Sequence, residues 1–232
     1  MALNVVCLKH GTKYGPEYVN KLYNMIQRHL TVPHQFVCFT DNPEGLDSRI
    51  NIHILPNDQS LQGWWWKLYL FKEGHFSNDD TILFFDLDMV IVKNIDNLVS
   101  YLPDSFVGLE DVGRIFNRAP KLGSAVMRWP ANQYSKIWNQ FNLNRTLAQR
   151  WPGDQDWIWK ICSNEIKFFP RSWIISYKWE ARNIKELIRD GKRYKFKDIR
   201  DPKIPDDTCV LAFHGSPDPH EVSDPIIVNN WR

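Results

Sequence analysis

The chain has 232 residues, a formal net charge of +2 and four cysteines without C-x-x-C spacing. This length suits one large α/β domain with a full core, and the small net charge excludes a general polyanion-binding signature. Three cysteines lie inside apolar runs, so we expect buried thiols in a reducing compartment.

The chain start is too short and lacks the basic segment of a signal peptide. No apolar stretch approaches membrane-spanning length, because Asp86 and Asp88 interrupt the longest one. We therefore expect no transmembrane segment and a cytoplasmic location.

The first half of the chain alternates strands and helices. Apolar runs predict the strands, and apolar residues at the 3.6 period predict the first helix. The predicted strands are 4–8, 35–40, 50–55 and 81–85, and the predicted helices are 16–30 and 64–72. This order implies an α/β fold with a mainly parallel central sheet flanked by helices, and ligands bind such sheets at the carboxyl ends of the strands.

The second half is less regular. It contains predicted strands at 106–109, 122–129 and 209–213 and predicted helices at 132–141 and 154–164. Because no linker or internal repeat divides the chain, we expect a single domain over residues 1–232.

Tryptophan is the compositional outlier, with 11 residues. Most of these side chains are expected in the core. Aromatic side chains beside polar groups also form walls on which sugars or bases stack, since they combine a large apolar face with a polar edge.

The triplet Asp86-Leu87-Asp88 directly follows the apolar strand 81–85. Positions i and i+2 of an extended segment point the same way, so both carboxylates can reach one ion. Two carboxylates at the end of a buried strand are costly without a cation, and a divalent metal would hold them. An exposed turn is the alternative, because chance supplies about one D-x-D in a chain of this length.

Two enzyme classes use such a pair. A phosphatase would use Asp86 as nucleophile with Mg²⁺ beside it, although such enzymes usually carry the motif on their first strand. A nucleotide-sugar transferase needs a metal to neutralise the departing diphosphate. Two carboxylates and an imidazole suit Mn²⁺, or Mg²⁺ less well. His214 ends an apolar strand before Gly215, so it is the candidate third ligand beside Asp86 and Asp88.

Two later motifs follow the Asp86-Leu87-Asp88 triplet in a characteristic order. They are Gly-Asp-Gln-Asp at 153–156 and His-Gly-Ser-Pro at 214–217. With these motifs the chain resembles the GT-A-fold nucleotide-sugar glycosyltransferases, in particular the glycogenin and lipopolysaccharide-galactosyltransferase group.

Segments 7–15, 36–41 and 63–68 look like those of a small bacterial and phage branch of this group. The resemblance runs from about residue 3 to residue 221. It implies a single GT-A-type domain, with a nucleotide-binding half at 1–110 and a sugar and acceptor half at 111–232.

Carried over position by position, the resemblance implies a set of donor-binding residues. Leu8 and His10 would offer backbone groups to a uracil on which Tyr14 stacks, and Asp41 would lie near the base or ribose. Lys67 would reach the phosphate or sugar of the donor.

The resemblance also implies the metal ligands and the site of the diphosphate. Asp86 would contact the ribose and the metal, and Asp88 and His214 would be direct ligands. Gly215 and Ser216 would face the diphosphate. The lysine that the family carries near this loop is absent, and Lys178 or Arg182 would have to supply its charge.

The sugar pocket and catalytic residues are implied by two further matches. Gly123 and Ser124 belong to a segment of small residues that lines the sugar pocket. Asp154 and Gln155 match a pair that binds sugar hydroxyls and faces the anomeric carbon, and Asp156 completes the catalytic set. The alternative for Asp154 is a helix N-cap, since it follows Pro152-Gly153.

The resulting expectation is a metal-dependent glycosyltransferase that moves a hexose from a UDP-sugar to an unidentified acceptor hydroxyl, with retention of configuration implied by the resemblance. The acceptor would be a glycan, a lipid-linked group, a protein or a nucleic-acid base. Residues 178–203 hold ten Lys or Arg against five Asp or Glu, so this segment is a candidate site for an anionic acceptor. The non-enzyme alternative is a carbohydrate- or nucleic-acid-binding module.

Overall fold

The computed structural model describes residues 2–115, 120–182, 185–189, 192–196 and 201–232. The strands are β1 Leu3–Lys9, β2 His34–Thr40, β3 Asn51–Ile54, β4 Thr81–Phe85, β5 Met89–Ile91, β6 Val107–Glu110, β7 Leu122–Pro130, β8 Lys167–Phe168, β9 Ile174–Ser176, β10 Lys185–Arg189, β11 Lys192–Phe196 and β12 Val210–Ala212. The α-helices are α1 Pro16–His29, α2 Asp96–Ser100, α3 Lys136–Leu143, α4 Arg145–Ala148, α5 Asp154–Cys162 and α6 Pro225–Asn230. Helical segments of 3₁₀ or π type are Gly63–Phe71, Val112–Ile115, Tyr177–Ala181 and Pro219–Glu221.

A seven-stranded sheet has the order β3-β2-β1-β4-β7-β6-β8. Strands β1 to β4 are parallel to one another, β7 is antiparallel to both β4 and β6, and β8 is again parallel to β6. The predicted α/β fold with a mainly parallel sheet is confirmed. A second sheet, β5-β12-β9, and the hairpin β10-β11 complete the described strands.

Helix α1 covers one face of the sheet. Pro16 occupies the first turn, where a missing N–H costs nothing. Its apolar residues recur at the helical period, so Val19, Leu22 and Ile26 are all buried. The 3₁₀ helix Gly63–Phe71 belongs to a separate buried cluster with Phe39 and Phe84.

Most predicted elements lie within one or two residues of their predicted bounds. The prediction of a helix from residue 132 is wrong at its start, because α3 begins at Lys136. Asn132 adopts a φ of +61°, which is incompatible with a right-handed helix, and its side chain instead bonds the Phe76 carbonyl and Asn78. Cys7, Cys38 and Cys209 are free and buried, as predicted, and Cys162 is free and buried as well.

Candidate active site

The Asp86–Asp88 triplet lies where the chain passes from one sheet to another. β4 ends at Phe85 in the central sheet, and β5 begins at Met89 in the three-stranded sheet. The three residues between them therefore occupy the carboxyl end of a fully buried strand. This is the edge at which parallel α/β sheets bind ligands.

Strand pairing brings two distant segments to this edge. Ala212 in β12 pairs with Met89 in the antiparallel direction, so the residues that follow Ala212 run back along the triplet and bring His214 beside it. On the other side, β7 pairs with β4, and the Asp86 amide donates to the carbonyl of Ala125 at 2.8 Å. The predicted sugar-pocket segment 123–125 thus adjoins the predicted metal ligands.

These segments enclose a cavity of about 340 Å³. It is lined by Asp86, Asp88, Leu109, Asp111, Val112, Gly113, Gly123, Ser124, Ala125, Gln155, Trp179, Ala212, Phe213 and His214. The predicted metal ligands, the predicted sugar-pocket segment and Gln155 of the predicted catalytic set thereby share one cavity, to which both halves of the chain contribute.

Lys67 holds the carboxylates at one end of this cavity together. Its ammonium group lies 2.9 Å from Asp86 and 3.4 Å from Asp154, and it donates to the Ser124 hydroxyl at 3.0 Å. Burial lowers the pKa of Lys67, but the carboxylates of Asp154 and Asp86 outweigh it and raise that pKa above its usual value. Lys67 is therefore a buried, permanently charged bridge between the predicted ribose and sugar contacts.

Helix α5 presents the predicted catalytic residues. Gly153 is the N-cap and Asp154 the first helical residue, so the alternative of Asp154 as a helix N-cap does not hold. Its carboxylate instead accepts a hydrogen bond of 2.6 Å from Ser124. Gln155 lines the cavity, whereas Asp156 is half-buried, and burial is the main cause of its raised pKa.

Tyr14 reaches the carboxylate pair with its hydroxyl. The hydroxyl donates to Asp88 at 3.1 Å and lies 3.4 Å from Asp218, and the ring packs 4.5 Å from Tyr18. Burial and the charge of Asp88 raise the pKa of Tyr14, so it remains a donor. The ring therefore packs on Tyr18 and does not line the cavity of Asp86 and Asp88.

His10 and Asp41 lie together beside a second cavity. Asp41 accepts from the Gly11 amide at 2.9 Å and lies 3.9 Å from the His10 imidazole, which packs 5.3 Å from Trp66. Leu8 precedes them on β1, with its side chain against the core. The cavity of about 410 Å³ is lined by His10, Asp41, Leu55, Pro56, Asn57, Asp58, Gln59, Leu61, Gln62 and Trp66.

Lys178 closes the loop that follows β12. Its ammonium group donates to the carbonyls of His214 and Ser216 at 3.1 and 3.2 Å, and it would lie 3.9 Å from a Cβ at Gly215. Arg182 instead pairs with Asp224 at 2.7 Å. Of the two cations considered for this loop, Lys178 is the one that contacts it.

The donor set fits a divalent cation in its chemistry. Burial and the neighbouring Asp86 raise the pKa of Asp88 to about 7, so a cation bound beside it would stabilise its charged form. Burial and Lys178 lower the pKa of His214 to about 4, so its imidazole is neutral and able to coordinate. Its Nε2 lies 2.7 Å from the Ser176 hydroxyl. Among the described residues no three His, Cys, Asp or Glu side chains are already spaced around a single ion.

The metal-ligand role that the resemblance implies for Asp88 predicts that binding of Mn²⁺ with a UDP-sugar weakens as the pH falls through about 7. Free Asp88 is protonated below its pKa of about 7, and a bound ion must displace that proton. Below this pKa the affinity should fall by about tenfold per pH unit. Calorimetric titration with UDP-glucose between about pH 5.5 and pH 8 measures this slope, and an affinity that does not change with pH would contradict the role of Asp88.

Three residues of the site were not singled out in the sequence. Asp111 lines the cavity directly after β6. Its position as a carboxylate at a strand end is the feature of the sequence that could have identified it. Trp179 packs 4.1 Å from the His214 ring, and Ser176 bonds that ring. Both belong to the short strand β9 and the turn after it, which are too short to give a periodic signal.

The predicted anionic acceptor segment 178–203 lies partly outside the described residues. Within it the backbone of β10 and β11 forms an antiparallel hairpin. No helix in the described part of the chain combines the length and apolar character needed to cross a bilayer.

Solved structures share this fold at low sequence identity. An active-site mutant of LgtC superposes with a TM-score of 0.64 at 9% identity over 93% of this chain and 89% of its own. Galactosyltransferase LgtC in complex with donor and acceptor sugar analogs gives 0.60 at 10% identity over 93% and 88%. Glycosyltransferase GlyE of Streptococcus pneumoniae TIGR4 gives 0.57 at 8% identity over 75% of this chain and 47% of its own.

The chain thus spans about half the length of GlyE and most of the length of LgtC. No family model matches the sequence, and no curated protein matches it. The fold resemblance predicted from the ordered motifs is confirmed by these structures.

Proposed function

We propose, from a fold shared with LgtC and GlyE, that this chain is a glycosyltransferase that moves a hexose from a UDP-sugar to an acceptor hydroxyl with the help of a divalent metal. The observation that carries the proposal is the shared cavity. It joins Asp86, Asp88 and His214, which lie far apart in sequence, to the sugar-pocket segment and to Gln155.

Each group of residues has a task in this reaction. Asp86, Asp88 and His214 would hold the metal, which supplies positive charge to the departing diphosphate. Asp154 and Gln155 would bind sugar hydroxyls, with Asp156 beside them on α5. His10 and Asp41 would hold the uridine and lie beside the second cavity.

The chemistry exchanges one bond to the anomeric carbon for another. The acceptor oxygen forms a bond to C1 of the hexose, the bond from C1 to the UDP oxygen breaks, and the acceptor hydroxyl loses its proton. Retention of configuration is part of the proposal and rests on the resemblance. The buried free thiols support a reducing, cytoplasmic setting for the reaction.

The phosphatase alternative is not favoured. Phosphatases of this type usually carry the motif on the first strand of the domain, whereas Asp86 follows β4, the fourth strand. The solved structures that share the fold are also glycosyltransferases.

We propose that Lys178 supplies the positive charge for the diphosphate that loop 214–218 itself lacks. Replacing it (Lys178→Met) should weaken UDP binding by about tenfold but leave uridine binding almost unchanged, because only UDP carries the diphosphate. The matched control is Arg182→Met, which removes a cation already paired with Asp224. Equal losses for UDP and uridine in Lys178→Met would instead indicate a purely structural role.

A donor screen tests the proposed function. A bound ligand raises the melting temperature by mass action, so UDP-glucose or UDP-galactose with Mn²⁺ should stabilise the protein more than GDP-mannose, ADP-glucose or a phosphomonoester does. The UDP-sugar response should disappear when a chelator replaces Mn²⁺. A folded sample that responds to none of the UDP-sugars would overturn the proposal.

A further inference from the structure

Trp64 is an exposed aromatic side chain close to Gly153, the residue before the proposed catalytic residues. Trp64 is 58% exposed, whereas its neighbours Trp65 and Trp66 are buried. Apart from Trp151, the other tryptophans of the chain are buried or half-buried, so Trp64 presents the most exposed indole face of the molecule.

The 3₁₀ geometry aligns Trp64 with Lys67. In a 3₁₀ helix, side chains three residues apart lie one above the other, at about 2 Å of rise per residue. Trp64 therefore stands about 6 Å along the helix from Lys67, on the face that carries the Lys67 ammonium group to Asp86 and Asp154. The same helix thus carries both the buried Lys67 ammonium group and the exposed Trp64 indole.

The Trp64 indole also lies close to the start of α5, which carries the proposed catalytic residues Asp154 and Gln155. A Cβ at Gly153 would lie 3.8 Å from Trp64 Nε1 and 3.8 Å from an Asp156 carboxylate oxygen. Gly153 directly precedes Asp154 and Gln155. Trp64 therefore lies next to the residues proposed to face the anomeric carbon.

A cavity of about 700 Å³ opens beside this indole. It is lined by Gln59, Ser60, Gln62, Gly63, Trp64, Trp65 and Gln149. These seven described lining residues include no ionisable side chain, and the nearby Arg145 is paired with Asp58. Gln59 and Gln62 also line the His10–Asp41 cavity, so the two cavities adjoin.

The chemistry of this lining suits a neutral sugar. The C–H face of a pyranose packs against an indole, and its hydroxyls exchange hydrogen bonds with amide and hydroxyl side chains. Nucleic acids and phosphorylated lipids derive much of their affinity from Lys and Arg contacts to phosphate, which this lining does not offer.

We propose that this cavity is the acceptor site, that its acceptor is a neutral saccharide, and that Trp64 is the platform on which the acceptor ring stacks. This inference rests on the proposed transferase function, since it takes the donor to lie in the cavity of Asp86 and Gln155. It assigns an acceptor class that the sequence leaves open.

The test records the indole N–H signals of the UDP- and Mn²⁺-loaded protein by NMR, with the Trp64 signal assigned from Trp64→Phe. Lactose, cellobiose, maltose and chitobiose are titrated at millimolar concentrations. At least one should shift the Trp64 signal saturably and accelerate UDP release from UDP-glucose or UDP-galactose. Trp64→Ala should raise the half-saturating concentration of that saccharide by about tenfold, and Trp64→Phe should raise it less.

The matched control is Trp151→Ala, which removes another exposed indole (40% exposed) that does not line this cavity. Its saccharide response should equal that of the unchanged protein. The inference is overturned if UDP binds with Mn²⁺ but no neutral saccharide shifts the Trp64 signal, or if Trp64→Ala leaves the saccharide response intact. It is also overturned if sialyllactose or an oligonucleotide is the ligand that responds through Trp64. Failure of UDP itself to bind would instead contradict the proposed function.

Discussion

Asp88→Asn should lower Mn²⁺-dependent UDP release from a UDP-sugar by about 10²–10³-fold, with little change in stability. Burial and the neighbouring Asp86 carboxylate raise the pKa of Asp88 to about 7, against the Tyr14 hydrogen bond that lowers it, so its negative charge is costly in the free protein. A metal ion compensates that charge, and an amide cannot replace the carboxylate as an anionic ligand. The Tyr14 hydroxyl can still donate to the amide oxygen, so the local fold should persist.

The measurement is the rate of UDP release as a function of Mn²⁺ concentration for the unchanged protein and the variant. Asp206→Asn is the control, because Asp206 is an exposed acid that does not line the cavity. It should behave like the unchanged protein. Undiminished Mn²⁺-dependent release by Asp88→Asn would show that the ion lies elsewhere.

Lys67→Met should lower the free energy of unfolding by about 3–5 kcal/mol. The Lys67 side chain is buried and lies between the carboxylates of Asp86 and Asp154, with Ser124 as a further acceptor. Removing the cation leaves the buried Asp154 and the half-buried Asp86 without their counter-ion, whereas methionine fills a similar volume. The loss should shrink as the pH falls, because the carboxylates can then be protonated.

Urea unfolding of metal-free protein in chelator measures this loss. Lys160→Met is the control, since Lys160 is exposed on α5, and it should change the free energy by less than about 0.5 kcal/mol. The double variant Lys67→Met with Asp154→Asn should recover part of the stability by removing one uncompensated charge. A loss below about 1 kcal/mol for Lys67→Met would contradict the description of Lys67 as a buried bridge.

Strand positions were predictable because each long strand is a buried apolar run that ends at turn residues. β4 is the clearest case, since its predicted bounds of 81–85 are those observed. β5 and β9 were not predicted, because three residues carry no periodic signal and their pairing with β12 is a tertiary property. The same pairing places His214 in one cavity with Asp88, so the sequence could nominate these residues but not show that they line the same cavity.

The sequence was a better guide to which residues belong to the site than to which of their side chains interact. Sequence order suggested a cap for Asp154, yet Ser124, 30 positions away, is its partner. Tyr14 was expected to stack on uracil, and no local pattern indicated that its hydroxyl contacts Asp88. The absent loop lysine left Lys178 and Arg182 equivalent in the sequence, and the contacts of Lys178 with the loop carbonyls distinguish them. These interactions depend on how sheets pack, which no local pattern encodes.

The most direct test of the proposed function is turnover of UDP-glucose and UDP-galactose followed by UDP release, with Mn²⁺ present or replaced by a chelator. We expect UDP to accumulate with Mn²⁺, its release to cease in chelator and to resume when Mn²⁺ is restored. Equal rates with and without chelator, or no release of UDP from either donor by folded protein, would contradict a metal-dependent sugar transferase built on Asp86, Asp88 and His214.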